Sequence, residues 1–385
     1  MIRSAFILFF SVGLYSFSQA QTILLDKVYG FIEANDLKKA TEAIAAAEKH
    51  VTTSNDPRTY YLKSYVYRLA FSTAEGTQRD EWRSLSLLSY EKCKALDQQG
   101  NYTSSLKQLY DYIVASIYND ASNYFNEQEY QQSIEYYSLY LKTTKNLTDN
   151  WLDANYYLGT AYYETEQLDS ALSYFTVLWN REYKNPTFYV DYAYLNMALE
   201  RPFETLECLE RGLVYYPEVY DLHVARLNAL SKFERYEELS PIIEDFIVEH
   251  PDNVDVLLLA GSVFEKMQKL TSGIQYFNKA ESVYQQIIAL DSGHFEASYN
   301  LGVLYYNEAV DLVNKNDLET DIEELTLILE KSTRLFEMAL PLLRSIYNPN
   351  NPNVKLLGAL QAIYYNLNMK GELEEVTALL SSLQG

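Results

Sequence analysis

The sequence predicts an all-α protein, an α-solenoid in which about eight to nine helical hairpins stack into a right-handed superhelix. Three observations support this prediction. The 385 residues include only 13 glycines and 9 prolines, too few for a chain rich in β-turns. Apolar residues make up 48% and charged residues 22%, which is enough hydrophobic material for a long core and argues against disorder. A period of 34 residues recurs along the chain: Pro217 and Pro251 are 34 residues apart, and each closes a run of the same form.

One unit shows how such a hairpin would pack. Leu158, Gly159 and Tyr162 have helical spacing, and Ala171 and Phe175 follow on a second helix. The small residues Gly159 and Ala171 let two helix backbones approach where they cross, while the larger ones form an apolar stripe. One hairpin cannot cover its own stripe, so the next hairpin covers it and stacking creates a continuous core.

This pattern, Leu-Gly-x-x-Tyr followed by Ala-x-x-x-Phe, resembles the tetratricopeptide repeat (TPR) family. The resemblance covers essentially all of residues 21–385 and implies an α-solenoid whose partners vary widely within the family. The predicted units lie near residues 22–55, 57–100, 103–147, 152–185, 186–219, 220–253, 254–294, 295–350 and 354–383.

Three of these units are longer than the family period. We interpret the extra residues as lengthened helices where apolar residues keep their helical spacing, and the role of the insertions near 73–82 and 314–333 is open. The additions lie near residues 73–82, 282–288 and 314–333.

Residues 1–20 have the pattern of a cleaved signal peptide. Arg3 supplies a positive charge, residues 5–14 are apolar, and small Ser18 and Ala20 precede the expected cleavage before Gln21. The alternative is a membrane anchor, but the apolar stretch is shorter than the roughly 20 residues that span a bilayer. We therefore expect an exported protein of the periplasm or cell surface of a Gram-negative bacterium, with no direct membrane insertion after cleavage.

The net charge limits the classes of partner that are expected, and the positions of the two cysteines indicate whether they form a disulfide. A formal net charge of −22 disfavours nucleic acid and anionic lipid, whose phosphates require a basic surface, and weakly favours cationic partners. Export would permit a disulfide between Cys93 and Cys208. Because both fall at helix packing positions of separate repeats, we expect two buried thiols instead.

The usual signs of catalysis are absent from the sequence. The four histidines form no metal-ligand pattern, and no phosphate-binding loop, dinucleotide fingerprint or nucleophile elbow occurs. The acidic run 317–324 lacks the glycine and the alternating ligands of a calcium loop, so we interpret it as a solvated helix face. We expect no enzyme activity, no cofactor and no metal.

The sequence contains 37 tyrosines, and we separate them into two groups. Those at motif positions are expected to pack in the core. In the family that this chain resembles, the first helix of each hairpin lines the concave groove, and tyrosine suits recognition because it offers a large contact area at low entropy cost. The residues predicted to face the groove are Tyr61, Tyr65, Tyr118, Phe125, Tyr156, Tyr163, Tyr194, Tyr299 and Tyr306, with the polar Asn119 and Asn228 between them.

The best-known ligand of this family, a chaperone C-terminus gripped by lysine, arginine and asparagine, is not expected here. The corresponding groove positions are Tyr61, Tyr118, Tyr156, Val190, Val224 and Leu258. We therefore expect a scaffold for a protein or peptide partner of unknown identity. The alternative is a glycan-binding envelope protein that uses the same groove.

Overall fold

The computed structural model describes residues 23–144, 149–314 and 321–384. The signal-peptide prediction for residues 1–20 lies outside this part of the chain. The described residues form eighteen α-helices and no β-strand, which confirms the predicted all-α class. The helices are α1 (23–33), α2 (Leu37–Lys49), α3 (Pro57–Thr73), α4 (Gly76–Leu96), α5 (Thr103–Asn126), α6 (Tyr130–Thr143), α7 (Asp149–Glu164), α8 (Leu168–Asn180), α9 (Pro186–Ala198), α10 (Pro202–Tyr215), α11 (Tyr220–Lys232), α12 (Tyr236–Glu249), α13 (Val254–Thr271), α14 (Ile274–Leu290), α15 (Phe295–Asn314), α16 (Ile322–Ser345), α17 (Val354–Asn366) and α18 (Lys370–Gln384).

The helices pack in chain order. The described residues divide into two compact units, unit 1 ending at Leu195 and unit 2 beginning at Asn196, and the division falls within α9. In unit 1, each helix from α2 to α7 contacts the next, and in unit 2 the same holds from α10 to α17. Stacked hairpins pack in this way because each one covers the apolar stripe of its neighbour.

The turn inside several hairpins has a repeated backbone conformation. Glu166, Glu200 and Glu234 lie 34 residues apart, and their φ angles of 59°, 54° and 56° are in the left-handed region. The amide that follows each glutamate donates to a carbonyl five residues earlier, at 2.8, 3.0 and 2.9 Å. This bond closes the C-terminus of the first helix, so the backbone repeats with the family period although the sequence has no glycine at these turns.

Side-chain caps define where several helices begin. Asp36, Asp56, Asn253 and Asn353 each accept a hydrogen bond from a backbone N–H in the first turn of α2, α3, α13 and α17. These bonds satisfy amides that have no partner inside the helix.

Glycines lie where the two helices of a hairpin cross, as the repeat pattern predicts. A Cβ atom at Gly159 on α7 would be 2.5 Å from Cε1 of the Phe175 ring on α8, a distance that real side chains do not adopt. Leu158, Ala171 and Phe175 are all buried at this crossing. The corresponding close pairs in unit 2 are Gly261 with Tyr284 and Gly302 with Leu343.

The extra residues predicted as insertions belong largely to helices. α3 ends at Thr73 and α4 begins at Gly76, so residues 73–82 lengthen this hairpin. α14 extends to Leu290, beyond the stretch 282–288. Within the insertion 314–333, α16 begins at Ile322, and residues 315–320 lie outside the described part.

The structure also describes the state of the two cysteines and the hydropathy of the helices. Cys93 and Cys208 are both buried thiols and not a disulfide, as predicted. No helix of the described ranges is both long and apolar enough to cross a membrane.

Candidate partner-binding surface

The first helices of neighbouring hairpins lie side by side. In unit 1, α3 contacts α5 and α5 contacts α7, and in unit 2, α13 contacts α15 and α15 contacts α17. Second helices make no comparable contact with one another among the described residues. The helices α3, α5 and α7 of unit 1, and α13, α15 and α17 of unit 2, thus form two rows of first helices. Most of the predicted groove residues lie on these rows, whereas Tyr194 lies on α9 and Asn228 on α11.

On α3, two predicted residues contact each other. The rings of Tyr61 and Tyr65 stack with their centroids 6.4 Å apart, and Tyr61 is also 5.1 Å from the ring of Tyr102, the residue that precedes α5. Both predicted tyrosines are partly exposed. Burial of part of the Tyr61 ring raises the pKa of its phenol. The structure thus brings these two tyrosines together with a third that was not predicted.

Arg68 extends this aromatic group along α3. The carbon of its guanidinium lies 4.9 Å from the centroid of Tyr65 and 4.6 Å from that of Tyr112 on α5. These distances are typical of cation–π contacts. The Tyr112 side chain is 42% exposed, so the group reaches the solvent. Tyr61, Tyr65, Arg68, Tyr102 and Tyr112 together are called the arginine–tyrosine surface below.

Sequence reasoning missed three members of this surface, but a signal was present for one of them. Tyr61, Tyr65 and Arg68 are separated by four and three residues, which places them on one face of a helix. Extending the tyrosine pattern by one turn would have predicted Arg68. Tyr102 and Tyr112 belong to the next hairpin, and their approach depends on how α3 and α5 pack.

Farther along α5, Tyr118 and Asn119 differ in exposure. Tyr118 is half-buried and meets Tyr137 and Tyr140 edge-on, with centroids 5.6 and 5.2 Å away. Burial raises the pKa of Tyr118 to about 12. Asn119 is exposed. Tyr118 therefore presents only part of its ring to a partner.

Phe125, near the end of α5, is held by two aromatic neighbours. Its ring meets those of Tyr130 and Tyr157 edge-on, at 5.5 and 5.1 Å. Phe125 is partly exposed, and it packs against the main core of unit 1.

Tyr156 was predicted to face the groove, and the structure shows that this prediction is wrong. Its side chain is only 8% exposed and lies among the rings of Tyr157, Phe175 and Phe188. Its hydroxyl donates a 2.6 Å hydrogen bond to the carboxylate of Asp191. The ring cannot contact a partner through a face that is already covered, so Tyr156 is a packing residue and not a groove residue.

The other predicted residues are partly exposed and lie on four different helices. In unit 1, Tyr163 and Tyr194 lie on α7 and α9. In unit 2, Asn228 lies on α11 and the other two lie on α15, where Tyr299 stacks on Phe295 and Tyr306 packs against Phe336.

Tyrosine hydroxyls have a second role that the sequence did not reveal. Five of them donate short hydrogen bonds to carboxylates from other helices or turns, at 2.5 or 2.6 Å. Because the chain has 53 acidic and only 31 basic residues, phenols supply donors that arginine and lysine are too few to provide. The pairs are Tyr136 with Asp80, Tyr156 with Asp191, Tyr183 with Asp153, Tyr284 with Glu265 and Tyr305 with Glu281.

One of these pairs borders a cavity between two first helices of unit 2. The cavity, of about 260 Å³, lies between α13 and α15 and is lined by Glu265, Gln268, Lys269, Glu308 and Asp311 among others. Burial raises the pKa of Glu265, while the hydrogen bond from Tyr284 opposes the rise. Gln268 donates to Glu308 at 2.8 Å. The carboxylates make this cavity acidic.

Within the described ranges, no group of three or more His, Cys, Asp or Glu side chains is arranged to hold a metal ion. The acidic stretch 317–324 is described only from residue 321 onward, where α16 carries exposed Glu323 and Glu324 in its first turn.

Comparisons with known proteins bear on the fold. No protein-family model matches this chain, and no curated protein matches its sequence. Among solved structures, the chain is similar to the C-terminal part of a TPR repeat-containing protein from Cytophaga hutchinsonii. The TM-score is 0.51 at 10% identity, over 69% of this chain and 95% of that chain.

Two further solved structures match over different lengths. YrrB, a TPR protein with an unusual peptide-binding site, matches 51% of this chain and 95% of its own, with 15% identity and a TM-score of 0.40. A tetratricopeptide repeat protein from Parabacteroides merdae matches 90% of this chain and 99% of its own, with 12% identity and a TM-score of 0.36. The Cytophaga likeness and the repeated hairpins together show that this chain has the all-α solenoid fold of tetratricopeptide repeat proteins.

Proposed function

We propose that this protein is a non-enzymatic scaffold that binds a protein or peptide partner along its first helices. The observation that supports this proposal most directly is the arginine–tyrosine surface, where the Arg68 guanidinium lies over rings of two adjoining first helices, Tyr65 on α3 and Tyr112 on α5. Tyrosine and arginine are the residues that most often dominate binding energy at protein interfaces.

The physical properties of this surface suit recognition. The ring of Tyr61 contacts those of Tyr65 and Tyr102, so these rings lose little conformational freedom when a partner binds. Each ring offers apolar area and one hydroxyl, and the guanidinium adds directed N–H donors. An extended peptide could use all three kinds of contact.

A glycan is the alternative ligand. Sugars stack on exposed faces of aromatic rings, but Arg68 already covers part of Tyr65 and Tyr112. Part of the ring area that a sugar would stack on is thus already in contact with Arg68, which favours a peptide.

The proposal also includes export. Residues 1–20 have the charge, apolar stretch and small residues of a signal peptide, so the mature protein would act in the periplasm or at the cell surface of a Gram-negative bacterium. Fractionation of expressing cells, followed by N-terminal sequencing, tests this part. We expect a mature chain that begins at Gln21, and an uncleaved cytoplasmic chain would contradict export.

Binding is tested with the mature protein immobilised on beads and incubated with envelope extract. We expect a specific protein to be retained by the native protein and lost when both Tyr65 and Tyr112 are changed to Ala. A glycan array incubated with the same protein provides the alternative outcome. Sugar binding without a protein partner would favour the glycan-binding function.

A further inference from the structure

We propose that Arg68 binds the side-chain carboxylate of an aspartate or glutamate in an extended partner peptide. This inference rests on the proposed function and adds the chemistry of the contact. It predicts that the partner has an acidic residue at a fixed position, although the net charge of the chain favours cationic partners in general.

The Arg68 guanidinium contacts two rings but has no carboxylate partner in the part of the chain that the structure describes. No carboxylate among the described residues lies within ion-pair distance of Arg68, in a chain with 53 acidic residues. Its Nε atom is buried and has no hydrogen-bond partner. By contrast, Arg58, on the same helix, pairs with Asp26 at 2.9 Å. Because no carboxylate of the described residues neutralises this guanidinium, a ligand carboxylate that accepts from its terminal N–H groups gains a charge-assisted hydrogen bond.

The position of the guanidinium beside the two rings also suits a carboxylate ligand. The guanidinium carbon lies over the rings of Tyr65 and Tyr112, and the N–H groups of a guanidinium form a fixed fork in its plane. Two of these N–H groups match the two oxygens of a carboxylate. The rings also restrict the side chain before the ligand arrives, which lowers the entropy cost of binding.

The source of the carboxylate follows from the continuity of the surface. α3 contacts α5 and α5 contacts α7, so first helices continue beyond Arg68 on the side of α5. Partly exposed Tyr118 and exposed Asn119 continue the surface there. A peptide that passes along these helices places a side chain, and not its C-terminus, at Arg68.

The net charge of −22 does not prevent this contact. Distant charges are screened beyond about 8 Å at physiological salt, whereas a contact ion pair beside aromatic rings is screened much less. An acidic residue within an otherwise uncharged or basic peptide therefore fits both the overall charge and the local site.

The experiment uses a library of short synthetic peptides, acetylated and amidated so that the only carboxylates are those of side chains. The full mature protein, Arg68→Gln, Arg68→Lys and Arg181→Gln each select from this library. Arg181 is exposed in unit 1 at the end of α8, so Arg181→Gln removes the same charge away from the first helices. Circular dichroism and thermal melting establish that each variant is folded.

We expect the native protein and Arg181→Gln to enrich peptides with Asp or Glu at one position. Changing that residue to Asn or Gln should weaken binding to the native protein by about tenfold or more. Arg68→Gln should lose the preference, and Arg68→Lys should keep part of it because a lysine retains the charge but not the planar N–H pair.

Three results would overturn the inference. They are enrichment without a fixed acidic position, the same enrichment by folded Arg68→Gln, and binding only to a parallel library with free C-terminal carboxylates. Retention of the envelope partner is measured alongside with the native protein and Arg68→Gln. If both retain it equally while the peptide preference is absent, the Arg68 inference fails and the proposed function stands; if the native protein retains no partner, the proposed function fails.

Discussion

Gly159 on α7 lies so close to the ring of Phe175 on α8 that a Cβ atom at the glycine would be 2.5 Å from Cε1 of the ring. Phe175 is fully buried and contacts the rings of Tyr156, Phe188 and Tyr192. The ring therefore has little room to move away. The two helices can approach this closely only because residue 159 is a glycine and has no side chain.

Gly159→Ala should destabilise the protein by about 1–3 kcal/mol through overpacking at this crossing. The matched control is Gly358→Ala on α17, where a Cβ atom meets nothing within 4 Å. Because alanine favours helix over glycine, this control should stabilise the protein by up to about 1 kcal/mol. Urea denaturation of both variants measures the difference. Equal effects would mean that the crossing at Gly159 is not tightly packed.

The crossings were predictable because they depend on residue type and spacing alone. The pair Gly159 and Phe175 follows from the repeat pattern, and so does the 34-residue period of the hairpins. The turn conformation at Glu234 was not predictable in the same way, because glutamate is not the residue type that normally adopts positive φ. It belongs to the turn between α11 and α12, where the amide of Arg235 donates to the carbonyl of Leu230.

Glu234→Gly should stabilise the protein by about 0.5–1 kcal/mol. The left-handed conformation costs a residue with a Cβ atom about 1–2 kcal/mol, and the greater entropy of an unfolded glycine offsets part of the gain. The control is Glu237→Gly, in the first turn of α12, where the same change should destabilise by up to about 1 kcal/mol. Thermal melting compares the two, and a loss of stability in both would contradict the turn assignment.

Both cysteines should be unreactive in the folded protein. Burial raises the pKa of the Cys93 thiol to about 12 and raises that of Cys208 as well, above the usual 9.0. The thiolate is the reactive form, so little of it exists at about pH 8. An aromatic disulfide reagent should modify both thiols in denaturant and neither in the native protein over the same time. Fast modification of the native protein would show that the thiols are accessible.

Tyr156→Phe should destabilise the protein by about 1–3 kcal/mol near pH 7, because Asp191 loses the donor that satisfies its buried carboxylate. Burial already raises the pKa of Asp191 above 3.8 in the folded state. Its ionisation therefore reduces stability as the pH rises above 3.8, and losing the phenol enlarges this reduction. Below 3.8 the carboxyl is protonated in both states.

The measurement is urea denaturation of native protein and Tyr156→Phe across this pH range. The difference in the free energy of unfolding between the native protein and Tyr156→Phe should increase from acidic to neutral pH. The control is Tyr192→Phe, a buried ring of the same cluster whose hydroxyl lies 3.5 Å from that of Thr176. A cost for Tyr156→Phe that does not change with pH would contradict the role of the phenol as a donor to an ionised Asp191.

The candidate surface was only partly predictable, because the sequence does not show which tyrosines the neighbouring helices cover. Helical spacing identified Tyr61 and Tyr65 on the first helix, but it could not distinguish them from Tyr156. All three are tyrosines beside a packing stripe, and only the neighbouring helices determine which ring is covered. Tyr156 is enclosed because Phe188 from α9 and Asp191 pack against it, and this contact joins residues more than thirty positions apart.

The contrast between a covered and an exposed tyrosine gives the last prediction. Tyr65→Ala should weaken binding of the partner by about 1–3 kcal/mol, because it removes both a partly exposed ring and a contact that positions Arg68. Its effect on stability should be smaller than that of Tyr156→Ala, which leaves a cavity among buried rings and should cost about 3–5 kcal/mol. Affinity is measured with the partner retained from envelope extract, and stability by urea denaturation of the same preparations.

If Tyr65→Ala unfolds the protein as readily as Tyr156→Ala, the Tyr65 ring is part of the core and the arginine–tyrosine surface is not a binding site. If Tyr65→Ala is stable and binds the partner as tightly as the native protein, the partner binds elsewhere on the chain.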